Sequence, residues 1–418
     1  MNVDKDLFFY DLAVVAIMKN EAPYVKEWLD YHILAGVDHF YIYDNESPDN
    51  FKEVLQPYID AGIVTYKFYP GIGRQIEAYT DAFKSYRFFC RYMAFIDADE
   101  FIFPQSNQSI VEVVDEIFAD KPNVGGIEIN WMMYGSNNLE TADYSKGVLE
   151  RFTRRANQIK SNVVKTVVNP RVIDYIKSPH FVEYFEGSAL VSEIKLGETR
   201  KIIINHYRLK SREEFAAKNN NFVGDVAYSD KNYYSSYRFT HEENNEVFDD
   251  SILKYFDSRK KIYGGVVPKI NEEKLINALI KNLSPILFGN IPVGFFEGKM
   301  ETFLTCRALA NYLKENAIGN ERGALVENAA LNAIYNTIYS SYLSLADIKL
   351  LLNELPNILT MNYPAVENIR KACLEVIANL KNNIRDGINC QDKIMFYRDF
   401  NELDNLFRIL KVFENYHK

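Results

Sequence analysis

Residues 92–104 read YMAFIDADEFIFP, and this stretch decides the fold of the first part of the chain. A short apolar run, rich in aromatic and branched residues, stops at Asp97 and Asp99 and then resumes at Phe101. Such a run predicts a buried strand. Because unpaired carboxylates are costly to bury, we expect these acids at the mouth of a sheet, where a cation or a polar ligand compensates them.

The spacing of Asp97 and Asp99 also indicates a type of ligand. Carboxylate oxygens are hard ligands that suit Mg²⁺ or Mn²⁺, and these ions are commonly held by one or two carboxylates together with substrate phosphates. The sequence therefore predicts a divalent metal site at the end of this strand.

Composition excludes several other classes of protein. The 418 residues are 47% hydrophobic and 25% charged, as in ordinary globular proteins, and they provide enough chain for two or three domains. With 57 acidic against 48 basic residues, the net charge of -9 disfavours a nucleic-acid binder. Four scattered cysteines predict reduced thiols in the cytoplasm. The sequence shows neither the apolar core of a signal peptide nor a run long enough for a transmembrane segment, so neither is predicted.

Strands and helices alternate through the first hundred residues. Strands are predicted at 12–17, 39–43, 63–69 and 92–95, and helices at 23–35, 50–61 and from about 74 to 90. This order predicts a mostly parallel sheet with helices on both faces, and ligands of such sheets bind at the carboxyl ends of the strands. Four of these ends carry polar clusters, which we expect to converge: Lys19–Glu21, Asp44–Asp49, Arg74 with Gln75, and Asp97–Glu100.

Later strands are predicted at 124–133, 163–168 and 201–205, separated by a polar loop at 139–160 that carries Arg151. Glu128 interrupts an apolar strand, so its side chain either faces the cleft or lies at an edge. His180 and His206 lie near the ends of this region. Ser211 and Glu214 have the spacing of a capping box and predict a helix start.

Beyond about residue 265 the strand patterns give way to helical periodicity, with the last helix predicted at 391–414. We therefore divide the chain into an α/β domain at 1–262 and an α-helical domain at 263–418. The helical part carries enough apolar residues for its own core. It serves either as a stabilising appendage or as a surface for a partner subunit, for self-association, for an acceptor carrier or for the membrane face.

The first 215 or so residues resemble glycosyltransferase family 92 and its bacterial relatives, which lie near the family 2-like enzymes of the GT-A fold. The resemblance rests on several blocks in the expected order, including Lys19-Asn20-Glu21, Glu27-Trp28-Leu29 with Tyr31-His32, Asp44-Asn45-Glu46-Ser47, Gln75 with Ala78-Tyr79, Asp97-Ala98-Asp99-Glu100-Phe101, and His206-Tyr207 followed by Lys210-Ser211. The helical region lies outside this resemblance.

The resemblance implies a nucleotide-sugar donor, most readily a UDP-sugar, whose diphosphate is held by Mn²⁺ or Mg²⁺. Asp44 would then bind the nucleobase, Asp97 the ribose or a metal-bound water, and Asp99 the metal itself. His206, with His180 as the alternative, would be a further metal ligand. A carboxylate base for inverting transfer would be needed, and Glu128 is the candidate. Lys19, Asn20, Glu21, Arg74 and Gln75 would contact the nucleotide, although each could instead serve only to begin a helix.

The leading hypothesis is thus a metal-dependent glycosyltransferase that acts on a glycan or lipid-linked acceptor at the cytoplasmic side of a membrane, in surface polysaccharide synthesis. A nucleotidyltransferase is the first alternative, but the first strand is followed by Met18–Glu21 and not by a glycine-rich phosphate loop. The second alternative is a non-catalytic glycan-binding or scaffold protein, against which the intact Asp97 and Asp99 argue.

Overall fold

The computed structural model describes residues 3–120, 124–185, 201–218, 239–240, 243–263, 272–292, 294–316, 320–340, 343 and 345–387. The chain divides into two compact units. Unit 1 spans Phe8–Asn271, and unit 2 combines Asn2–Leu7 with Glu272–Lys418. The domain boundary at 262/263 stays a prediction, and the helix predicted at 391–414 lies outside the described residues.

The described part of unit 1 is built on an eight-stranded sheet. Its strands are β1 (Tyr10–Met18), β2 (His39–Asp44), β3 (Val64–Phe68), β4 (Cys90–Phe95), β5 (Glu100–Pro104), β6 (Gly126–Met133), β8 (Lys160–Val168) and β11 (Ile202–His206). They follow the order β3-β2-β1-β4-β8-β6-β11-β5. Only β5 and β8 run against the other six strands, so the sheet is mostly parallel, as predicted.

Helices cover both faces of this sheet, which confirms the predicted fold class. In the described part of unit 1 the α-helices include α1 (Ala22–Leu34), α2 (Phe51–Asp60), α3 (Gln75–Tyr86), α4 (Ile110–Asp120), α5 (Val148–Arg151), α6 (Arg212–Ala217) and α7 (Ser251–Tyr263). Side chains of α1, α2 and α4 form the core of one face, here called the α1 face, and α3 covers the opposite α3 face. Alternate residues of β1 contribute to the two cores because successive side chains of a strand point to opposite sides.

Gly36 lies just beyond the C-terminal end of α1. Its φ of +102° is a conformation that side-chain-bearing residues rarely adopt. A Cβ at this position would also lie 2.9 Å from the Cβ of Ser109. The turn that brings the chain from α1 into β2 therefore requires glycine.

Two predictions about local structure were wrong. The helix predicted to reach Cys90 ends at Tyr86, because Cys90 already opens the buried strand β4. The segment 139–160 is not a solvated loop throughout: it contains α5, the strand β7 (Arg154–Arg155) and the buried Arg151.

Small sheets account for the remaining strands. Strand β7 pairs with β12 (Val247–Phe248), and β9 (Ile173–Ser178) pairs with β10 (Phe181–Tyr184), a hairpin that the sequence did not predict.

The described part of unit 2 is helical, as predicted. Its helices are α8 (Glu272–Leu287), α9 (Met300–Glu315), α10 (Asn320–Ser340), α11 (Leu345–Leu359) and α12 (Pro364–Gly387). Helix α10 packs against α8, α9 and α12. Across the described residues of both units, no helix combines the length and the apolar character needed to cross a lipid bilayer.

Candidate active site

The acidic segment lies at the carboxyl edge of the parallel strands. Met18 at the end of β1 is in register with Asp44 at the end of β2, and Phe95 at the end of β4 pairs with Val15. The chain leaves β4 at this edge, passes through Asp97 and Asp99, and returns as β5. The predicted convergence of strand ends is therefore present for β1, β2 and β4.

Asp97 has partners on both of its carboxylate oxygens. Its Oδ1 accepts hydrogen bonds from Gln75 Nε2 at 2.7 Å and from the Tyr79 hydroxyl at 3.3 Å. Its Oδ2 accepts one from Lys165 Nζ at 3.0 Å. Gln75 and Asp97, two residues singled out independently in the sequence, are thus in direct contact.

Asp99 lies between Lys218 and His206. Its Oδ2 accepts a hydrogen bond from Lys218 Nζ at 2.7 Å, and its Oδ1 is 3.3 Å from His206 Nε2. Burial alone would raise the pKa of Asp99, but Lys218 and His206 more than offset this and hold that pKa well below its ordinary value. Asp99 is therefore an ionised carboxylate at neutral pH.

The third acid, Glu100, is fully buried beside Lys165. Its Oε2 accepts a hydrogen bond from the Asp97 backbone N–H at 3.0 Å and lies 3.8 Å from Lys165 Nζ. Burial raises the pKa of Glu100, whereas the Lys165 charge lowers it only in part. We call Asp97, Asp99, Glu100, Lys165, His206 and Lys218 the carboxylate cluster.

Helix α1 holds the backbone of the same segment from the α1 face. Trp28 Nε1 donates to the Glu100 carbonyl at 2.8 Å, and the Tyr31 hydroxyl donates to the Ile102 carbonyl at 2.9 Å. His32 Nδ1 lies 2.8 Å from the Trp28 carbonyl, and its Nε2 accepts from the Ile102 N–H at 3.2 Å. Burial lowers the pKa of His32 to about 3, so its imidazole is neutral.

Asp44, the predicted nucleobase ligand, closes the turn after β2. Its Oδ1 accepts from the Ser47 N–H at 2.9 Å and its Oδ2 from the Tyr66 hydroxyl at 2.7 Å. This turn contacts the end of β1 as well, because Ser47 Oγ accepts from the Asn20 N–H at 3.0 Å. Asp44 thus stabilises the turn after β2, and its binding of a nucleobase stays a prediction.

The other residues predicted to contact the nucleotide lie at helix starts on this edge. Glu21 and Arg74 precede the first turns of α1 and α3 without capping them through their side chains. The Arg74 guanidinium pairs with Glu77 at 2.6 Å and lies 5.1 Å from the centroid of the Tyr69 ring. Lys19 is partly exposed just after β1. Their proposed contacts with a nucleotide stay predictions.

Glu21 belongs to a second group of buried charges next to Asp99. Its Oε2 lies 3.7 Å from Lys210 Nζ, and Lys210 in turn lies 3.4 Å from the centroid of the Tyr24 ring. Burial raises the pKa of Glu21 and lowers the pKa of Lys210, while each charge partly counteracts the shift of the other.

The predicted capping box is present and helps to organise this group. Ser211 and Glu214 exchange hydrogen bonds at the start of α6. Glu214 also accepts two hydrogen bonds from the Arg151 guanidinium at 2.8 and 2.9 Å and one from the Tyr24 hydroxyl at 2.9 Å. Burial works against ionisation, but Arg151 and Ser211 lower the pKa of Glu214 to about 2. Arg151 is therefore part of a buried ion pair.

Of the two candidate histidines, His206 is the one next to an acid. His180 Nδ1 lies 3.0 Å from the Val164 carbonyl, and its ring packs against Trp131 with centroids 5.4 Å apart. Trp131 contacts His206 in turn, with centroids 4.3 Å apart. His180 thus contacts a backbone carbonyl and Trp131, whereas His206 lies 3.3 Å from Asp99.

Glu128 lies in the middle of β6, in register with Thr166. Its neighbours Ile127 and Ile129 belong to the core of the α1 face, so alternation directs Glu128 to the α3 face. There its charge contributes to raising the pKa of Tyr184 on β10, after the larger effect of burial. Its role as a base stays a prediction.

The side chains of this site can hold a divalent ion only together with a bound ligand that supplies further coordinating atoms. Among the described residues, no three His, Cys, Asp or Glu side chains are grouped to hold a metal. Asp99 Oδ1 and His206 Nε2, 3.3 Å apart, are close enough to bind one ion together. Two protein ligands with the remainder supplied by substrate phosphates is a common arrangement for Mg²⁺ or Mn²⁺, and imidazole favours Mn²⁺ over Mg²⁺.

The sequence did not assign a role to three lysines of this site, of which Lys210 belongs to a block of the family resemblance and Lys165 carries a usable signal. Lys165 interrupts the apolar run of β8 in the way that Glu128 interrupts β6, and a buried charge in a strand calls for a partner. Lys210 and Lys218 follow β11 and bracket α6, and no local pattern of charge or periodicity predicts that they are buried.

Comparison with known proteins identifies the family. A family model described as Glycosyltransferase family 92 matches residues 15–259. A family 92 protein of Oryza sativa subsp. japonica is 29% identical over 222 residues, which cover 52% of this chain and 36% of the relative. One from Ricinus communis is 24% identical over 212 residues, which cover 50% of this chain and 37% of the relative. The chain thus spans just over a third of the length of these curated relatives.

A solved structure is also similar: S. aureus TarS 1–349 in complex with UDP-GlcNAc is 10% identical, with 91% of this chain and 93% of that chain covered. The TM-score of this pair is 0.25, so the family assignment rests on the sequence match. That match covers more than half of the chain and includes all the residues of the carboxylate cluster. The chain belongs to glycosyltransferase family 92.

Proposed function

We propose that this chain is a glycosyltransferase that moves a sugar from a nucleotide-sugar donor to a hydroxyl group of an acceptor. The observation that carries the proposal is the carboxylate cluster, in which Asp99 lies within 3.3 Å of His206 and 2.7 Å of Lys218 at the carboxyl edge of the sheet. A donor diphosphate is an anion, and this edge offers it cationic side chains.

The proposed reaction is an inverting transfer. The acceptor oxygen forms a bond to the anomeric carbon of the sugar, while the bond from that carbon to the diphosphate breaks and its electron pair stays with the diphosphate. The acceptor proton passes to a carboxylate base, for which Glu128 remains the candidate. Charge develops on the leaving diphosphate, so cations fixed beside it stabilise the transition state.

Asp99 and His206 are the residues that would hold a divalent metal, with Mn²⁺ favoured by the mixed ligand set. Such an ion supplies a Lewis acid for the leaving group. Asp97 is instead hydrogen-bonded on both oxygens by Gln75, Tyr79 and Lys165. This arrangement supports the prediction that Asp97 contacts the ribose or a metal-bound water.

The remaining assignments extend the same proposal. The donor is a UDP-sugar whose base is held near Asp44, and the acceptor is a glycan or a lipid-linked sugar used for surface polysaccharide. A protein that uses such acceptors would act in the cytoplasm and bind peripherally to the inner face of the membrane. The helices of unit 2 then provide the surface for a partner subunit or for self-association.

The test is hydrolysis of a panel of nucleotide sugars in the presence of Mn²⁺. The wild-type protein is expected to release free sugar and a nucleoside diphosphate from one donor of the panel, most readily a UDP-sugar. Asp99→Ala should lower this rate by at least about a hundredfold, because a group at the leaving diphosphate is lost. Asp257→Ala, at an exposed position on α7, is the matched control and should keep the wild-type rate.

Other products would identify the alternatives. A nucleotidyltransferase would instead convert the nucleotide sugar and pyrophosphate into a nucleoside triphosphate and a sugar phosphate. A binding or scaffold protein would turn over none of the donors. Full hydrolysis by the Asp99→Ala protein would reject the assignment of Asp99.

A further inference from the structure

Lys210 is a buried lysine whose ammonium group makes no hydrogen bond within the part of the chain that the structure describes. Its side chain is 1% exposed, and among the described residues its Nζ donates no hydrogen bond. The other lysines of the site differ in this respect, because Lys165 donates to Asp97 at 3.0 Å and Lys218 to Asp99 at 2.7 Å. A buried cation without hydrogen bonds is costly, so its retention calls for a ligand that supplies the missing acceptor.

The position of Lys210 is fixed by a rigid set of neighbours. Its Nζ lies 3.4 Å from the centroid of the Tyr24 ring, and the Tyr24 hydroxyl donates to Glu214 at 2.9 Å. Glu214 is itself held by two hydrogen bonds from Arg151. The backbone of Lys210 has a φ of +56°, an uncommon conformation for a residue with a long side chain. This network positions the ammonium group before any ligand arrives.

The ammonium group lies at the edge of the sheet where the donor is proposed to bind. Among the described residues the nearest carboxylate oxygen is Glu21 Oε2, whose 3.7 Å ion pair with Lys210 is too long for a hydrogen bond and which accepts no hydrogen bond from any other group. Asp99 and Lys218 are close enough for their charges to act on Lys210. An anion with several hydrogen-bond acceptors that binds beside Asp99 could therefore accept hydrogen bonds from Lys210.

We infer that Lys210 is a binding residue for the diphosphate of the donor, to which its ammonium group donates hydrogen bonds. The inference deepens the proposed function and rests on it. In the transfer step the same contact stabilises the negative charge left on the diphosphate when the bond to the sugar breaks. Glu21 and the Tyr24 ring hold the ammonium group in the meantime.

The competing interpretation is that Lys210 is a structural group, retained for its contact with Tyr24. The two interpretations differ in what removal of the charge does. A structural lysine would stabilise the fold, and its loss would weaken all ligands together. A diphosphate-binding lysine makes its hydrogen bonds to phosphate oxygens, so its loss would weaken only ligands that carry phosphates.

The experiment compares UDP with uridine as probes, by calorimetric titration of the full chain in Mn²⁺ and again in EDTA. The variants are Lys210→Met, which keeps length without charge, and Lys210→Arg, which keeps the charge. Lys254→Met, an exposed lysine on α7, is the control. For Lys210→Met we expect UDP affinity to fall about ten- to a hundredfold, with uridine affinity unchanged. The fall should persist in EDTA.

Each outcome leads to a different conclusion. Equal UDP affinity in wild type and Lys210→Met would overturn the inference and leave the proposed function intact. A lower melting temperature with UDP and uridine weakened alike, or failure of Lys210→Met to fold while Lys210→Arg folds, would make Lys210 structural. A wild-type protein that neither binds UDP nor hydrolyses any nucleotide sugar would overturn the proposed function and the inference with it.

Discussion

The acidic segment is held by two sets of contacts that differ in chemistry. From the α1 face, Trp28, Tyr31 and His32 make neutral hydrogen bonds to its backbone, each buried and each with a partner. At the strand edge, the carboxylate cluster holds it through charged groups. There Glu100 Oε1 and His206 Nδ1 lack a hydrogen-bond partner among the described residues.

This difference distinguishes the contacts that fix the conformation of the acidic segment from the groups that can bind a ligand. Neutral contacts to backbone groups are complete in the protein alone, so a ligand adds nothing to them. Charged groups with unused hydrogen-bonding capacity gain from a polar ligand, because that ligand supplies the missing partners. The motif residues Trp28, Tyr31 and His32 therefore orient the acids, while Asp99, His206 and the lysines are available for binding.

The largest stability effect is expected at Lys165, on the charged side of the comparison. Lys165→Met removes the counter-charge of Asp97 and leaves Glu100 buried beside it. Breaking a buried pair from one side typically costs about 3–5 kcal/mol, and the partial exposure of Asp97 places this variant at the lower end. Urea denaturation at neutral pH measures the loss.

The matched control for this variant is Lys177→Met, whose solvent-exposed pair with Glu183 should contribute little to stability. Adding Asp97→Asn to Lys165→Met removes the orphaned charge and should restore part of the stability. If the single variant were as stable as the wild type, the buried charge of Lys165 would stabilise the fold no more than an exposed ion pair does.

A smaller effect is expected at His32, on the neutral side. The folded protein keeps this imidazole neutral, since its pKa is lowered to about 3, whereas the unfolded chain binds a proton near pH 6.5. The unfolded state therefore binds more protons as pH falls, and the stabilisation due to neutral His32 is lost progressively below pH 6.5. Between pH 7 and pH 5 this loss amounts to about 2 kcal/mol.

His32→Gln provides the reference, because glutamine can offer a donor and an acceptor but does not titrate. The free energy of unfolding of the wild type, minus that of the variant, should shrink by about 2 kcal/mol from pH 7 to pH 5. A constant difference across this range would mean that His32 is protonated in the folded state, and the α1 contacts would then be charged as well.

Sequence reasoning found the part of the site that local patterns determine. Alternating strands and helices fix the strand ends, so Asp44, Gln75, Asp97 and Asp99 could be assigned to one edge of a sheet from their positions alone. The contact between Gln75 and Asp97 follows from that topology.

The counter-charges could not be found in this way, because they depend on residues distant in sequence. Lys218 reaches Asp99 across 119 positions, and Arg151 reaches Glu214 across 63. Whether such a lysine or arginine is buried depends on how β11 and α6 pack. The direction of Glu128 was left open for a related reason, since an interrupted strand pattern does not say which face of the sheet is covered.

The central claim is that Asp99 and His206, together with the phosphates of a donor, hold a divalent metal. Its most direct test is the Mn²⁺ bound to the full chain in the presence of UDP, measured as the loss of the free Mn²⁺ signal in electron paramagnetic resonance. Wild type and Asp257→Ala are expected to bind Mn²⁺ in a UDP-dependent manner, and Asp99→Ala is expected to lose this binding. UDP-dependent binding of Mn²⁺ by Asp99→Ala at the wild-type level would contradict the account.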